Sequence, residues 1–213
     1  MESRAITITS GKNNKMSIQV IPGHFVTNHS HINYFIDMTA MKHQHRMAAT
    51  AAREMAQRYQ NSTAVDTIVC MDGTEIIGAF LAQELSSSGI HSMNEGKTIS
   101  VITPEFNTNG QLIFRDNVQR MVWQKNVLLL MASVTTGKTI NRTLECIRYY
   151  GGNVCGISVI FSAISEMNDI PINYLFSTED VPGYHSYGFK DCPDCKANKK
   201  VDAIVNSFGY SKI

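Results

Sequence analysis

The sequence predicts an α/β fold with a mostly parallel sheet flanked by helices, and three observations carry that prediction. Short apolar runs rich in β-branched residues recur at 65–71, 126–131, 153–161 and 172–177, each of the length of a buried parallel strand. Segments of helical periodicity alternate with them. At 135–137 a Thr-Thr-Gly turn joins one of these strands to one of these helices.

The first helix is predicted over 41–60, where Met47, Ala51 and Met55 fall at four-residue spacing beside Ala48 and Ala52. VDTIVCM, 65–71, follows as a strand. Asp72, Gly73 and Thr74 form a turn, and EIIGAFLAQEL, 75–85, reads as a helix with Glu75 in its first turn. The unit then repeats. SVIT, 100–103, is a strand, and Pro104, Asn107, Asn109 and Gly110 mark a loop or hairpin. NVLLLM, 126–131, is a buried strand. Residues 138–150 form a helix with Ile140, Leu144 and Ile147 on one face, ended by Gly151 and Gly152. NVCGISVIF, 153–161, and INYLFS, 172–177, add two strands. From residue 179 onward turn residues dominate, and CPDC, 192–195, precedes a short apolar run, 201–210, that reads as a closing helix.

A chain of 213 residues with 43% hydrophobic and 17% charged residues can bury one core without disulfides or metal, so a single domain is expected. A net charge of +1 provides no basic field for nucleic acid. No run approaches the roughly 18 apolar residues of a membrane span, and the first 15 residues lack the apolar centre of a signal peptide, so a cytoplasmic location is expected. Five cysteines, three of them (Cys70, Cys146, Cys155) in apolar segments, suit reduced thiols rather than a disulfide framework.

The segment NVLLLMASVTTGKTI, 126–140, carries the strongest chemical signal. At a helix N-terminus successive backbone N–H groups converge on one spot, the macrodipole favours an anion there, and threonine hydroxyls add donors. Thr135, Thr136, Gly137, Lys138 and Thr139 are therefore candidate ligands of a phosphate monoester, with Gly137 permitting close approach. An ordinary strand-to-helix turn with a threonine cap is the plain alternative. Ala132 to Thr139 also satisfies a relaxed nucleotide-hydrolase P-loop pattern with alanine at the opening glycine position. That pattern needs a later strand ending in Asp, and neither 153–161 nor 172–177 ends so.

VLLLMASVTTGKT resembles the phosphoribosyl pyrophosphate motif of type I phosphoribosyltransferases, and VDTIVCMDGTEIIGAFLAQEL is similar to the strand, pyrophosphate loop and helix preceding it in that family. GHFVTNHSHINYFID, 23–37, resembles the opening of orotate phosphoribosyltransferases, with His24, Phe25, Thr27, Tyr34 and Asp37 keeping the frame, and CPDC resembles a Cys-Pro-x-Cys of some orotate enzymes. The resemblance implies a small hood built from 1–40 and 178–213 over a single domain spanning 1–213. It also implies a homodimer, and a ligand that is phosphoribosyl pyrophosphate or a nucleotide 5′-phosphate. The implied activity joins ribose 5-phosphate to a nitrogenous base with loss of pyrophosphate and with Mg²⁺, a glycosyltransferase step of pyrimidine nucleotide biosynthesis. By the same resemblance Asp72, Gly73, Thr74 and Glu75 form the pyrophosphate loop, Phe25, Thr27 and Tyr34 lie on the base side, and Met131 and Ala132 take the ribose-subsite positions.

The sequence departs from that pattern where chemistry is concentrated. Met131 and Ala132 stand where the family carries two ribose-binding acids, and the stretch 103–117, corresponding to a lysine-rich catalytic loop, offers only Arg115. Asp72 and Glu75 replace a basic pyrophosphate loop, and Ser162 and Ala163 stand where orotate enzymes place Asp-Arg. Losing one transition-state contact commonly costs on the order of 10²–10³ in rate, so turnover is expected to be weak or absent. A non-catalytic nucleotide-binding regulator of the same fold is the rival reading.

Cys192 and Cys195 have the spacing of half a tetrahedral zinc site, with His185 the nearest third ligand in sequence; a reduced turn in a solvent-facing hood is the alternative. His24, His29, His31, His43 and His45 cluster near the front and read as a polar rim or dimer contact, since His43 and His45 would diverge on a helix.

Overall fold

The computed structural model describes residues 1–87 and 92–213 and divides them mainly between two larger sheets. The core sheet runs, in spatial order, Glu166–Met167, Ile170–Ser177, Asn153–Ser162, Asn126–Val134, Thr67–Cys70 and Ser100–Ile102. Its pairing is parallel except at the edge hairpin that joins the first two. All of Thr67–Cys70 is buried, as are 127–132 in its neighbour. A strand covered on both faces has no solvent side to alternate with, which is why these segments read as unbroken apolar runs.

His45–Ala56 and Glu75–Ser86 cover one face through Ala48, Ala51, Met55, Ile77, Leu81 and Leu85, and Lys138–Tyr149 covers the other through Ile140, Leu144 and Ile147. Burying each of the large aliphatic side chains contributes about 1.5–3 kcal/mol. Gly78 sets the closeness of this packing: a Cβ there would lie 2.4 Å from Cys70 Sγ, so Gly78→Ala would force the helix off its strand.

The chain steps from Thr67–Cys70 to Ser100–Ile102 on one side and then returns to Asn126–Val134 on the other. This reversal is a topological switch point, where loops leaving the carboxyl ends of adjacent strands diverge and open a crevice. Asp72–Thr74 and Thr135–Gly137 leave those two strand ends.

The second sheet forms a hood from both ends of the chain, in the order Ser186–Tyr187, His31–Asp37, Ser17–Val26, Ala203–Asn206 and Gly209–Lys212, with Ile6–Thr9 on Ser17–Val26. Glu105–Phe106 and Leu112–Ile113 form a separate hairpin where a loop or hairpin was expected.

Two local expectations are corrected. The run 201–210 is a β-hairpin, not a closing helix. Ala203 and Val205 are buried while Ile204 and Asn206 are exposed, a period of two, and Asn206 Oδ1 accepts from the Phe208 and Gly209 N–H groups to fix the turn. The helix expected over 41–60 is two helices, Thr39–His43 and His45–Ala56, separated at Gln44, whose ψ of 115° is extended. The break lets the short first helix bury Met41 and Lys42.

Candidate functional site

A cavity of about 320 Å³ opens between the carboxyl edge of the core sheet and the hood. Thr135, Thr136, Gly137, Lys138 and Thr139 all line it, with Asp72, Thr27 and Tyr34. Gly137 is the residue before the helix Lys138–Tyr149 and has φ 77°, ψ −4°, a left-handed conformation open to glycine at little cost. Among the described residues no side chain caps this helix, and its first intrahelical bond is donated by Asn141 to the Gly137 carbonyl. The N–H groups of 138–140 are thus left without intrahelical acceptors on residues that line the cavity. Lys138 is exposed beside them, so the turn combines backbone donors, a helix N-terminus and one cation.

Opposite this turn lies a group that sequence reasoning only partly found. Asp72 and Gly73 have φ 62° and 76°, consecutive left-handed residues in the turn after Thr67–Cys70. The Asp72 carboxylate accepts from Ser207 Oγ at 3.0 Å, and burial raises its pKa against the opposing pull of Ser207, of Lys42 and of the Ala132 N–H. Lys42, 2% exposed, donates through Nζ to the Asp72 and Ser207 carbonyls, and burial lowers its pKa against the charges of Asp72, Glu75 and Asp37. The Lys42 Nζ also lies 5.6 Å from the Phe208 ring centroid. Lys42, Ser207 and Phe208 were missed because each sits in a segment read for another role. A lysine among buried residues of a helix start is the one signal that was available.

The remaining turn residues have structural surroundings. Thr74 is fully buried and donates to the Met71 and Leu130 carbonyls, and Glu75 accepts from Thr103 Oγ1 at 3.1 Å. Met131 and Ala132 are 1% and 0% exposed and belong to the packing on opposite faces of the core sheet, because the strand continues to Val134 instead of ending at Met131. That continuation also places Ala132 within a strand and leaves only Thr135–Gly137 between strand and helix, too short a loop for the polyphosphate wrap of a P-loop. Arg115 is paired with Glu105 at 2.8 Å, both largely exposed, and lies outside the cavity lining. Phe25 is buried against Phe35 in the hood, ring centroids 6.1 Å apart. Thr27 holds a turn, accepting from the His29 and Ser30 N–H groups.

The CPDC segment has different partners from those expected. His24, His31, Cys192 and Cys195 present their ligating atoms within 4.8 Å of one another. His24 Nε2 lies 2.9 Å from His31 Nδ1 and 3.5 Å from each sulfur, and Cys195 Sγ is 3.3 Å from His31 Nδ1. His185 is not in this group; its ring lies beside Tyr187 and its backbone N–H donates to Asn33 Oδ1. Nor are His24 and His31 a polar rim, being 1% and 8% exposed. The sequence hid this pairing because the antiparallel strands Ser17–Val26 and His31–Asp37 bring the two histidines together across a hairpin, and the cysteines arrive from the far end of the chain.

Solved phosphoribosyltransferases have a similar architecture. Orotate phosphoribosyltransferase of Mycobacterium tuberculosis H37Rv is similar at TM-score 0.54 and 15% identity over 76% of this chain and 91% of that one. Its complex with 5-phospho-α-D-ribosyl 1-diphosphate gives 0.51 and 14% over 68% and 82%. UMP synthase of Leishmania donovani gives 0.55 and 16% over 84% of this chain and 36% of its own. Adenine phosphoribosyltransferase of Thermoanaerobacter pseudethanolicus gives 0.50 and 15% over 83% and 96%. No protein-family model and no curated protein matches the sequence. At such identities the likeness is one of fold, and the fold is that of the type I phosphoribosyltransferases.

Proposed function

We propose that this chain, built on the type I phosphoribosyltransferase fold, binds a phosphorylated ribose, either phosphoribosyl pyrophosphate or a nucleoside 5′-phosphate, in the 320 Å³ cavity. The observation that carries this reading is the uncapped helix start at Gly137, lying at a topological switch point with its N–H groups and Lys138 on the cavity wall. The 5′-phosphate occupies the turn Thr135–Thr139. Thr27 and Tyr34 face the base. The complex of a structurally similar orotate enzyme with phosphoribosyl pyrophosphate supports the ligand class.

In a catalytic form the reaction breaks the bond from ribose C1 to pyrophosphate and makes one from C1 to a base nitrogen. Mg²⁺ would stabilise the departing pyrophosphate, and Asp72, an oxygen donor on the cavity wall, would hold it. The chain's own residues then position the phosphate at 135–139 and exclude water with Phe208 and Tyr34.

The second reading, ligand binding without turnover, is favoured by specific observations. The strand positions that would carry ribose-binding acids are packed Met131 and Ala132, and Arg115 is occupied by Glu105. Calorimetric titration with phosphoribosyl pyrophosphate, orotate, nucleoside monophosphates and ATP, with and without Mg²⁺, is expected to detect a phosphorylated ribose. Orotate consumption is expected to stay far below the median enzyme turnover of about 10 per second. If none of the phosphorylated compounds binds, the proposal fails. The same reading includes a homodimer, which light scattering checks.

A further inference from the structure

We propose that His24, His31, Cys192 and Cys195 form a closed structural zinc site that fastens the C-terminal part of the hood to its N-terminal strands and sets two walls of the cavity. This rests on the geometry of the four residues alone and not on the phosphate reading.

The separations fit one tetrahedral ion. With zinc bonds of about 2.05 Å to nitrogen and 2.3 Å to sulfur, tetrahedral angles place nitrogen atoms about 3.3 Å apart and nitrogen and sulfur about 3.6 Å apart. The nitrogens are 2.9 Å apart, three of the nitrogen–sulfur separations are 3.3–3.5 Å, and all the ligating atoms lie within 4.8 Å of one another. His24 Nδ1 lies 3.0 Å from the Lys199 carbonyl, which can only accept, so Nδ1 carries the proton and Nε2 offers its lone pair to the centre. A backbone carbonyl behind a ligating histidine is the usual way in which ring orientation and tautomer are fixed in zinc sites.

Charge and burial agree with that arrangement. Two thiolates and two neutral imidazoles balance a divalent cation, so the completed site is neutral where His24 and Cys192 are nearly inaccessible. Two imidazoles and two thiolates in tetrahedral array select zinc among the common divalent ions. All four positions are filled by protein, which is the arrangement of a structural rather than a catalytic site.

The sequence folds locally to make it. The register between Ser17–Val26 and His31–Asp37 shifts between Pro22 and Phe25, a bulge that re-aims His24. Gly23 at that bulge leaves room for Asp202: a Cβ there would lie 2.5 Å from Asp202 Oδ2, which accepts the His24 N–H at 2.9 Å. Pro193 starts the short helix Pro193–Lys196, which carries Cys195 and has Cys192 as the residue immediately before it.

The site also connects to the cavity. Between the two histidine ligands lie Thr27, Asn28 and His29, which form one wall. Beyond the cysteines, Ala203 and Ile204 pair with Phe25 and Val26 and lead directly to Asn206, Ser207 and Phe208, which form another.

Metal content of the full chain, purified without chelator under reducing conditions, provides the first test. About one zinc per chain is expected, and cobalt substituted for it should give the visible bands of a tetrahedral thiolate complex. Cys195→Ser and His31→Gln should each lower zinc at least tenfold, while His185→Gln should leave it unchanged. To keep the test independent of how each variant folds, the unaltered protein is also stripped with a chelator and titrated with cobalt alone, and its thermal unfolding is followed. A fall in melting temperature on stripping, restored by zinc, supports the structural role. A protein that is metal-free as purified and takes up no cobalt when reduced overturns the proposal. So does full zinc retention in both Cys195→Ser and His31→Gln.

Discussion

The turn at Gly137 and the hood are assembled in opposite ways. Residues 135–139 lie between a strand and a helix contiguous in the chain, and both elements are anchored in the core sheet. The hood joins residues from the two ends, as in the bond between His24 and Asp202, which are 178 positions apart. A site made from contiguous elements inherits its shape from the core and should respond to substitution through packing. A site made across the whole chain depends on whatever holds its ends together, here Asp202 and the histidine–cysteine cluster.

The largest expected effect tests how deeply the core owns the end of the strand Asn126–Val134. Met131→Asp puts a carboxylate into a position 1% exposed within the apolar cluster of Val69, Leu129 and Val159, and should destabilise folding by about 4 kcal/mol or more. Denaturant midpoints measure it. A loss below about 1 kcal/mol would mean that this strand position opens into the cavity after all.

Gly137→Val comes next. A β-branched residue at φ 77° is strained by roughly 1–2 kcal/mol, and its Cβ would meet the Met167 methyl at 2.3 Å. Affinity for phosphoribosyl pyrophosphate or a nucleoside monophosphate should fall at least tenfold, about 1.4 kcal/mol, with helix and strand content retained by circular dichroism. Unchanged affinity would remove the turn from the site.

A smaller, pH-dependent effect is expected at Asp72, where the turn of the core meets the hood. Its pKa is raised in the folded protein by burial, so the folded state holds that proton more tightly than the unfolded chain does. The favourable contribution is therefore present at low pH and lost as pH rises through the raised value. Asp72→Asn should gain stability relative to the parent at pH 7, with the gain vanishing below about pH 4, the ordinary carboxylate value. Urea melts at both pH values check this. Destabilisation at pH 7 would show that attraction to Lys42 outweighs the burial of the carboxylate.

The smallest effect belongs to Arg115→Ala. Its pair with Glu105 has side chains 63% and 55% exposed, and such surface pairs contribute about 0–1 kcal/mol. Neither stability nor ligand affinity should change appreciably. A tenfold loss of affinity at constant stability would instead place Arg115 itself at the bound ligand.

The same contrast explains what was legible in the sequence. Thr67–Cys70, Asn126–Val134 and Lys138–Tyr149 were readable because burial on both faces, or helical spacing of Ile140, Leu144 and Ile147, leaves a mark within a dozen residues. The turn at Gly137 was readable for the same reason. The hairpin Ala203–Asn206 and Gly209–Lys212 was not, because its first strand buries only alternate residues, its second buries none, and its apolar run is too short to separate period two from a helix. Lys42 carried no mark of its role, since its burial depends on the Asp72 and Ser207 carbonyls, neither of them near in sequence. The partnership of His24 and His31 with Cys192 and Cys195 is equally a property of tertiary folding, and Cys-x-x-Cys alone named only half of it.

The parallel pairing of Ala203 and Ile204 with Phe25 and Val26 also carries a consequence for the order of folding. Core strands close loops of tens of residues, whereas this pairing must close a loop spanning most of the chain, with a larger entropic barrier and a later place on the pathway. Amides of 127–131 should gain protection from hydrogen exchange before those of 24–26 when refolding is pulse-labelled, and simultaneous protection would contradict that order. During this interval Thr135–Thr139 would stand at the edge of a formed core with no hood above it. The first phosphate contacts would then precede completion of the cavity, and a ligand present during refolding could guide the last strands home.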